Sequence, residues 1–143
     1  MKDVLSLDDI HLSGKRVLYR VDINSPLHPE TGAFLDDGRL RAIIPTLNSL
    51  SEAKVVILGH QSRPGKDDFT DLSGHTERLR RILGRPIRFV PDVCGKEAID
   101  AIRSLKKGEI LCLDNVRMHN EEISLKKAEL DELRLSQIVM NLA

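Results

Sequence analysis

The hydrophobic positions of the chain form short runs separated by polar segments. Four apolar runs have the length of buried strands, and they cover residues 17–23, 55–59, 87–90 and 110–113. Each run is followed by a segment in which apolar residues recur at helical spacing, as in Leu40, Ile43, Ile44, Leu47 and Leu50. Strands that alternate with helices predict βαβ units and a parallel sheet. We therefore expect an α/β fold in three αβα layers, with helices on both faces of the sheet.

Glycine and proline residues predict where these helices begin and end. Gly84 and Gly108 follow helical segments and are expected to cap their carboxyl ends. Pro45 falls within the first helical segment, where it either kinks the helix or opens its main part. The order of the strands in the sheet cannot be read from the pattern. The last apolar pattern runs up to the end of the chain, so we expect an unfinished helix there, with the residues Leu135, Ile138, Val139 and Leu142.

Length, charge and composition narrow the class of protein. With 143 residues the chain has the size of one domain, and its 22 basic and 22 acidic residues cancel. Balanced charge and 3% aromatic residues argue against binding to nucleic acid. No apolar run is long enough to span a membrane, and Cys94 and Cys112 lack the spacing of a zinc site or a disulfide framework. We expect a cytoplasmic protein, no bound metal in this chain, and Cys112 as a small buried side chain.

Polar and basic residues follow three of the four predicted strands. Asp22 and Asn24 end the first run, His60 and Arg63 follow the second, and Arg117 follows the fourth. Ligands of open α/β sheets bind outside the carboxyl ends of the strands, so these residues are candidates for one site. Arginine pairs bidentately with phosphate and carboxylate, which predicts a small phosphorylated anion as the ligand. The alternative for each residue alone is a surface role: Arg20 and Arg41 pair with nearby acids, and His60 is a hydrogen-bonded structural histidine.

A possible nucleotide-binding loop does not fit its pattern. Gly59 and Gly65-Lys66 follow a predicted strand, as in a P-loop. That motif has four residues between its glycines and a serine or threonine after the lysine. Here five residues intervene and Asp67 follows Lys66, so the sequence does not predict nucleotide binding at this position.

Five segments of the chain resemble the signatures of the phosphoglycerate kinase family. Residues 20–26 read RVDINSP and resemble RVDxNxP; residues 36–46 resemble DDxRIRAxxPT; and residues 59–66, GHQSRPGK, are similar to SHLGRPxGK in a form associated with archaeal members. Residues 105–109 and 114–119 resemble LKPGE and ENVRFH. The matches follow the family order over residues 15–122, so the resemblance is specific.

This resemblance implies a kinase of two Rossmann-like domains that transfers a phosphoryl group reversibly between 1,3-bisphosphoglycerate and ADP with magnesium. On the matching positions, Asp22, Asn24, His60, Arg63 and Arg117 would bind 3-phosphoglycerate. Arg39 would also contact the substrate and would stabilise charge on the transferred phosphoryl group, as arginines do in other phosphoryl transfers. Mg-ATP or Mg-ADP would be bound by the second domain. The implied role is glycolytic and gluconeogenic.

The chain also differs from the family signatures, and these differences lead to further expectations. Asp114 and Met118 stand where the family signature has Glu and Phe, and the chain ends before the NDAFxxAHR segment and the nucleotide-binding domain. We therefore expect residues 1–143 to be an incomplete N-terminal domain that is inactive alone. The parent enzyme is expected to be a monomer or dimer, and the fragment to self-associate through its terminal helix. The alternative function is a non-catalytic module that binds a phosphorylated anion or a partner protein.

Overall fold

A computed structural model describes residues 4–119 of the chain, and these residues form a parallel sheet covered by helices. The strands are β1 (Arg16–Arg20), β2 (Lys54–Leu58), β3 (Arg88–Val90) and β4 (Ile110–Leu113). The helices are α1 (Gly38–Ala42), α2 (Ile44–Ser49), α3 (Ser73–Leu83) and α4 (Lys96–Ser104). Two short 3-10 turns are formed by Leu7–Asp9 and Val116–Met118. The order of the strands across the sheet is β1-β2-β4-β3, and all three pairings are parallel.

Alternating side chains of the central strands build two hydrophobic layers. Val55 and Ile57 of β2 face one layer, which contains buried residues of α1, α2 and α3. Val56 and Leu58 face the other layer, which contains the apolar side of α4. This alternation is what a strand covered on both faces requires. The predicted α/β fold with three layers is confirmed.

The first strand is shorter than its apolar run. The run extends over residues 17–23, but β1 ends at Arg20. Its neighbour β2 ends at Leu58. The carbonyl of Leu58 accepts a hydrogen bond from the amide of Val21, just beyond the end of β1. Val21 and Ile23 are buried all the same, because they pack in the core as the chain leaves the sheet. Because these residues are apolar and buried, the sequence pattern extended the predicted strand beyond the true end of β1.

Three of the predicted boundaries have clear outcomes. Gly84 caps α3 in the left-handed conformation, as predicted. Pro45 lies in the first turn of α2, so it opens the second part of the helical segment. The prediction for Gly108 was wrong, because α4 ends at Ser104 and its cap is Leu105 in an extended conformation. Gly108 has a φ of 82° in the turn before β4, where its amide donates to the carbonyl of Ala53.

Two further expectations concern cysteine and the end of the chain. Cys112 is buried in the core, as predicted, and burial raises the pKa of its thiol to about 11. The expected terminal helix with Leu135 and Leu142, and self-association through it, lie outside the described residues. Within residues 4–119, no helix combines the length and the apolar character needed to cross a membrane.

Candidate anion-binding site

The loops that follow three neighbouring strands meet at the carboxyl edge of the sheet. Because β1, β2 and β4 are adjacent and parallel, the chain leaves all three at the same edge. The loop after β3, the edge strand next to β4, has a structural role instead. There Asp92 caps α4, since its Oδ2 accepts from the amide of Ala98 at 2.8 Å and its Oδ1 from the amide of Gly95 at 3.0 Å. Burial opposes ionisation of Asp92, but these backbone bonds outweigh it and lower its pKa.

An open cleft of about 370 Å³ lies between the three loops. It contains four of the residues predicted from the sequence, one from the first loop, two from the second and one from the third: Asn24, His60, Arg63 and Arg117. Ser62, Lys66 and Asp68 complete its lining. The lining has three basic side chains, Arg63, Lys66 and Arg117, and one acidic side chain, Asp68. This excess of positive charge favours an anion as the ligand.

Hydrogen bonds through Ser62 connect the three loops. The amide of Ser62 donates to Oδ1 of Asn24 at 2.8 Å, and its carbonyl accepts from Nη1 of Arg117 at 2.9 Å. Arg117 is also held from its backbone, where its amide donates to Oδ1 of Asn115 at 3.1 Å. These bonds fix side chains on both sides of the cleft, which reduces the conformational freedom that an anion would have to restrict on binding.

Asp22 and Arg39 form an ion pair beside the cleft rather than in its lining. Oδ1 of Asp22 accepts from the amide of Asn24 at 3.2 Å, which ties the pair to the cleft. Burial opposes ionisation of Asp22, but the Arg39 guanidinium, this amide and the charge of His60 together lower its pKa. About half of the Arg39 side chain is exposed, so its guanidinium faces solvent next to the cleft.

The neighbouring arginine of the same helix has a structural role. Nε of Arg41 contacts Oδ1 of Asp37 at 2.8 Å, and Nη2 of Arg78 contacts the other oxygen of Asp37 at 2.8 Å. Asp37 therefore links the start of α1 to Arg78 of α3, and Arg41 pairs with this nearby acid, which is the surface role weighed for it in the sequence.

Several residues of the site were missed by sequence reasoning. Lys66 lines the cleft although its loop is not a P-loop, and its place next to Gly65 in that loop was the available signal. Asn115 lies in the segment 114–119 that resembles ENVRFH, but no role was predicted for it. It is fully buried, and its Nδ2 donates to the carbonyls of Gln61 and Thr70, both at 2.8 Å. Asp114 supports the site indirectly, because its Oδ1 accepts from the amide of Leu72 at the start of α3. Among residues 4–119, no group of histidine, cysteine and acidic side chains is arranged to hold a metal ion.

The fold and the cleft define an α/β domain with a basic cleft at the carboxyl edge of a parallel sheet. The family model for phosphoglycerate kinase matches residues 7–143, and the chain belongs to this family. Relatives named phosphoglycerate kinase include one from Methanobacterium bryantii, 49% identical over 120 residues, which covers 82% of this chain and 29% of that relative. Another, from Thermoplasma volcanium, is 40% identical over 143 residues, covering 100% of this chain and 35% of that relative.

Solved structures agree with this assignment. The crystal structure of phosphoglycerate kinase from Pyrococcus horikoshii OT3 has a TM-score of 0.85 at 32% identity, over 96% of this chain and 34% of that one. The structure of phosphoglycerate kinase from Coxiella burnetii has a TM-score of 0.65 at 25% identity, over 81% and 29%. The chain thus spans about a third of the length of the curated relatives it matches.

Proposed function

We propose that this chain supplies the substrate-binding half of a phosphoglycerate kinase, which transfers a phosphoryl group between 1,3-bisphosphoglycerate and ADP. The observation that carries the proposal is the cleft in which Asn24, His60, Arg63 and Arg117 lie together in a member of this family. A ligand with a phosphate at one end and a carboxylate at the other suits a site with two arginines and a lysine. The ligand class is therefore 3-phosphoglycerate and its acyl phosphate.

The roles of the residues follow from their positions. The guanidinium groups of Arg63 and Arg117 pair with oxygens of the phosphate or carboxylate, since each offers several fixed donors. Asn24 is oriented by Ser62 at the wall of the cleft, where its amide group is placed to bond a hydroxyl or carboxylate of the ligand. His60 lines the cleft and adds a ring nitrogen that can donate a hydrogen bond to the ligand.

Arg39 is assigned the catalytic role. It lies on α1 beside the cleft, is half exposed and is held by Asp22, so it can exchange this carboxylate for the transferred phosphoryl group. Stabilisation of charge on the moving group by arginine contributes on the order of 10³–10⁵ in rate in related chemistry. Magnesium and nucleotide are assigned to the part of the relatives that this chain does not cover. On this proposal residues 1–143 are part of an N-terminal substrate domain of archaeal type, in a cytoplasmic protein.

A calorimetric titration with 3-phosphoglycerate tests the proposal through Arg63. We expect saturable binding by the unchanged chain and about ten- to hundredfold weaker binding by Arg63→Ala, because a charged hydrogen-bonding partner of the anion is lost. Arg81→Ala is the matched control. Arg81 is an exposed arginine of α3 that pairs with Glu77 at 2.8 Å and does not line the cleft, so this variant should bind like the unchanged chain.

Two results would contradict the proposal. A folded, unchanged chain that shows no saturable heat with 3-phosphoglycerate at millimolar concentration would remove the substrate assignment for these residues. Equal binding by Arg63→Ala and Arg81→Ala would place the anion elsewhere on the molecule.

A further inference from the structure

Gln61 lies next to the cleft but is fully buried, so it cannot contact a ligand there. It follows His60 in the loop after β2 and comes before Ser62, and both of these neighbours line the cleft. A buried side-chain amide must find partners for its donors and its acceptor, because each unmet group costs free energy. The hydrogen-bond partners of the Gln61 amide therefore show which segments this side chain connects.

The side chain of Gln61 bonds to three separate segments. Its Oε1 accepts from the amide of Ser25 at 2.9 Å, and its Nε2 donates to the carbonyl of the same residue at 3.0 Å. Oε1 also contacts Nε2 of His75 on α3 at 2.8 Å; since an amide oxygen only accepts, this ring nitrogen carries the proton. Nε2 of Gln61 further contacts Oδ2 of Asp68 at 3.4 Å. Gln61 thus joins the loop after β1, its own loop and α3.

The residue that Gln61 precedes has an unfavourable backbone conformation. Ser62 has a φ of 55° and is the one non-glycine residue with positive φ in the described part of the chain. A residue with a Cβ adopts this region only at a cost, so the surroundings must hold it there. Both backbone groups of Ser62 are used by the cleft, the amide for Asn24 and the carbonyl for Arg117.

Asp68 connects the side chain of Gln61 to the side chain of Ser62. One oxygen of Asp68 accepts from Oγ of Ser62 at 2.5 Å, while the other contacts Nε2 of Gln61. On the opposite side, the two bonds from Gln61 to Ser25 fix the residue that directly follows Asn24. The buried amide therefore restrains both ends of the bond between Ser62 and Asn24.

We propose that Gln61 is a positioning residue of the anion-binding cleft. It holds Ser62 in the left-handed conformation and thereby orients Asn24 and Arg117 toward the ligand. The affinity of the cleft then depends on a side chain that never touches the ligand. This inference rests on the proposed function for the identity of the ligand, but not for the restraint on Ser62.

The variant Gln61→Met tests the proposal, since methionine fills a similar volume without hydrogen bonds. We expect its dissociation constant for 3-phosphoglycerate to rise about tenfold or more at a temperature where the variant is fully folded. Amide hydrogen exchange at Ser62 should become faster as well, because its bond to Asn24 is no longer restrained. Asn48→Met, on the exposed side of α2, is the control and should change neither quantity.

A second substitution separates positioning from a general loss of stability. Glycine adopts positive φ without the cost of a Cβ, and the contacts of Ser62 to Asn24 and Arg117 use backbone atoms only. Ser62→Gly in the Gln61→Met background should therefore recover most of the lost affinity. A merely structural role for Gln61 predicts no recovery, because the other bonds of its amide stay broken.

The outcomes distinguish the two proposals. Unchanged affinity and unchanged exchange at Ser62 in a folded Gln61→Met variant, or a double variant as weak as Gln61→Met, would overturn the role of Gln61. If the unchanged chain does not bind 3-phosphoglycerate, the proposed function fails. The exchange rate at Ser62 then decides whether Gln61 restrains the loop.

Discussion

Replacing Asn115 by leucine is expected to lower the free energy of unfolding by about 3 kcal/mol, because several buried polar groups would lose their partner at once. Nδ2 of Asn115 donates to the carbonyls of Gln61 and Thr70, and its Oδ1 accepts from the amide of Arg117. Leucine has a similar volume but no polar atom. The loss of these bonds would also free the loops after β2 and β4, so 3-phosphoglycerate should bind more weakly.

Urea denaturation at neutral pH measures this effect on stability. Asn48→Leu is the matched control, since Asn48 is exposed on α2 and the same chemical change there should alter stability by less than about 0.5 kcal/mol. If the two leucine variants had the same stability, the bonds of Asn115 would not contribute to the stability of the fold.

The stability of the fold is expected to fall as the pH is lowered below neutrality, and His75 is the cause. Burial lowers the pKa of His75 from 6.5 to about 4, although the charge of Asp71 acts in the opposite direction. Between these two values the unfolded chain binds a proton that the folded chain does not, so acid favours unfolding. From about pH 7 to about pH 5, we expect a loss of about 2 kcal/mol from this group.

The surroundings of His75 explain why its neutral form is required. The residue is 1% exposed, its Nε2 donates to Gln61, and its ring packs edge-on against Phe34 with centroids 4.8 Å apart. The other ring nitrogen has no hydrogen-bond partner, so a second proton there would be buried without an acceptor.

Urea denaturation at a series of pH values checks this prediction. His75→Phe lacks the titrating ring and keeps an aromatic contact for Phe34, so its stability should change less over the same range. Equal slopes for the unchanged chain and His75→Phe would show that another group causes the acid sensitivity.

The sequence was sufficient to predict the fold where the pattern depends on burial alone. The central strands β2 and β4 are apolar on both faces. Their apolar runs therefore predicted the ends of both strands to within one residue. Val21 and Ile23 continue the first run because they are buried, although they lie outside β1. A hydrophobic pattern records burial and cannot record whether a backbone finds a strand partner.

The same limit applies to the site. Basic residues after strands predicted the cleft, because the carboxyl ends of parallel strands meet at one edge whatever their order. Gln61, His75 and Asn115 were not predicted, since their importance lies in partners up to 54 positions away in the chain. Buried polar residues of this kind have no local pattern, and the sheet order β1-β2-β4-β3 that brings their loops together is not visible in the sequence either.

The central claim is that the cleft at the carboxyl edge binds the substrate, and mapping of amide chemical shifts by NMR tests it most directly. The competing location is the opposite edge, where Arg85 and Arg88 line a cavity of about 290 Å³. On addition of 3-phosphoglycerate, we expect the largest saturable shifts at Ser62, Arg63 and Arg117, with little change at Gly108 and Ile110. Saturable shifts confined to the opposite edge, with Ser62 and Arg63 unchanged, would contradict the account.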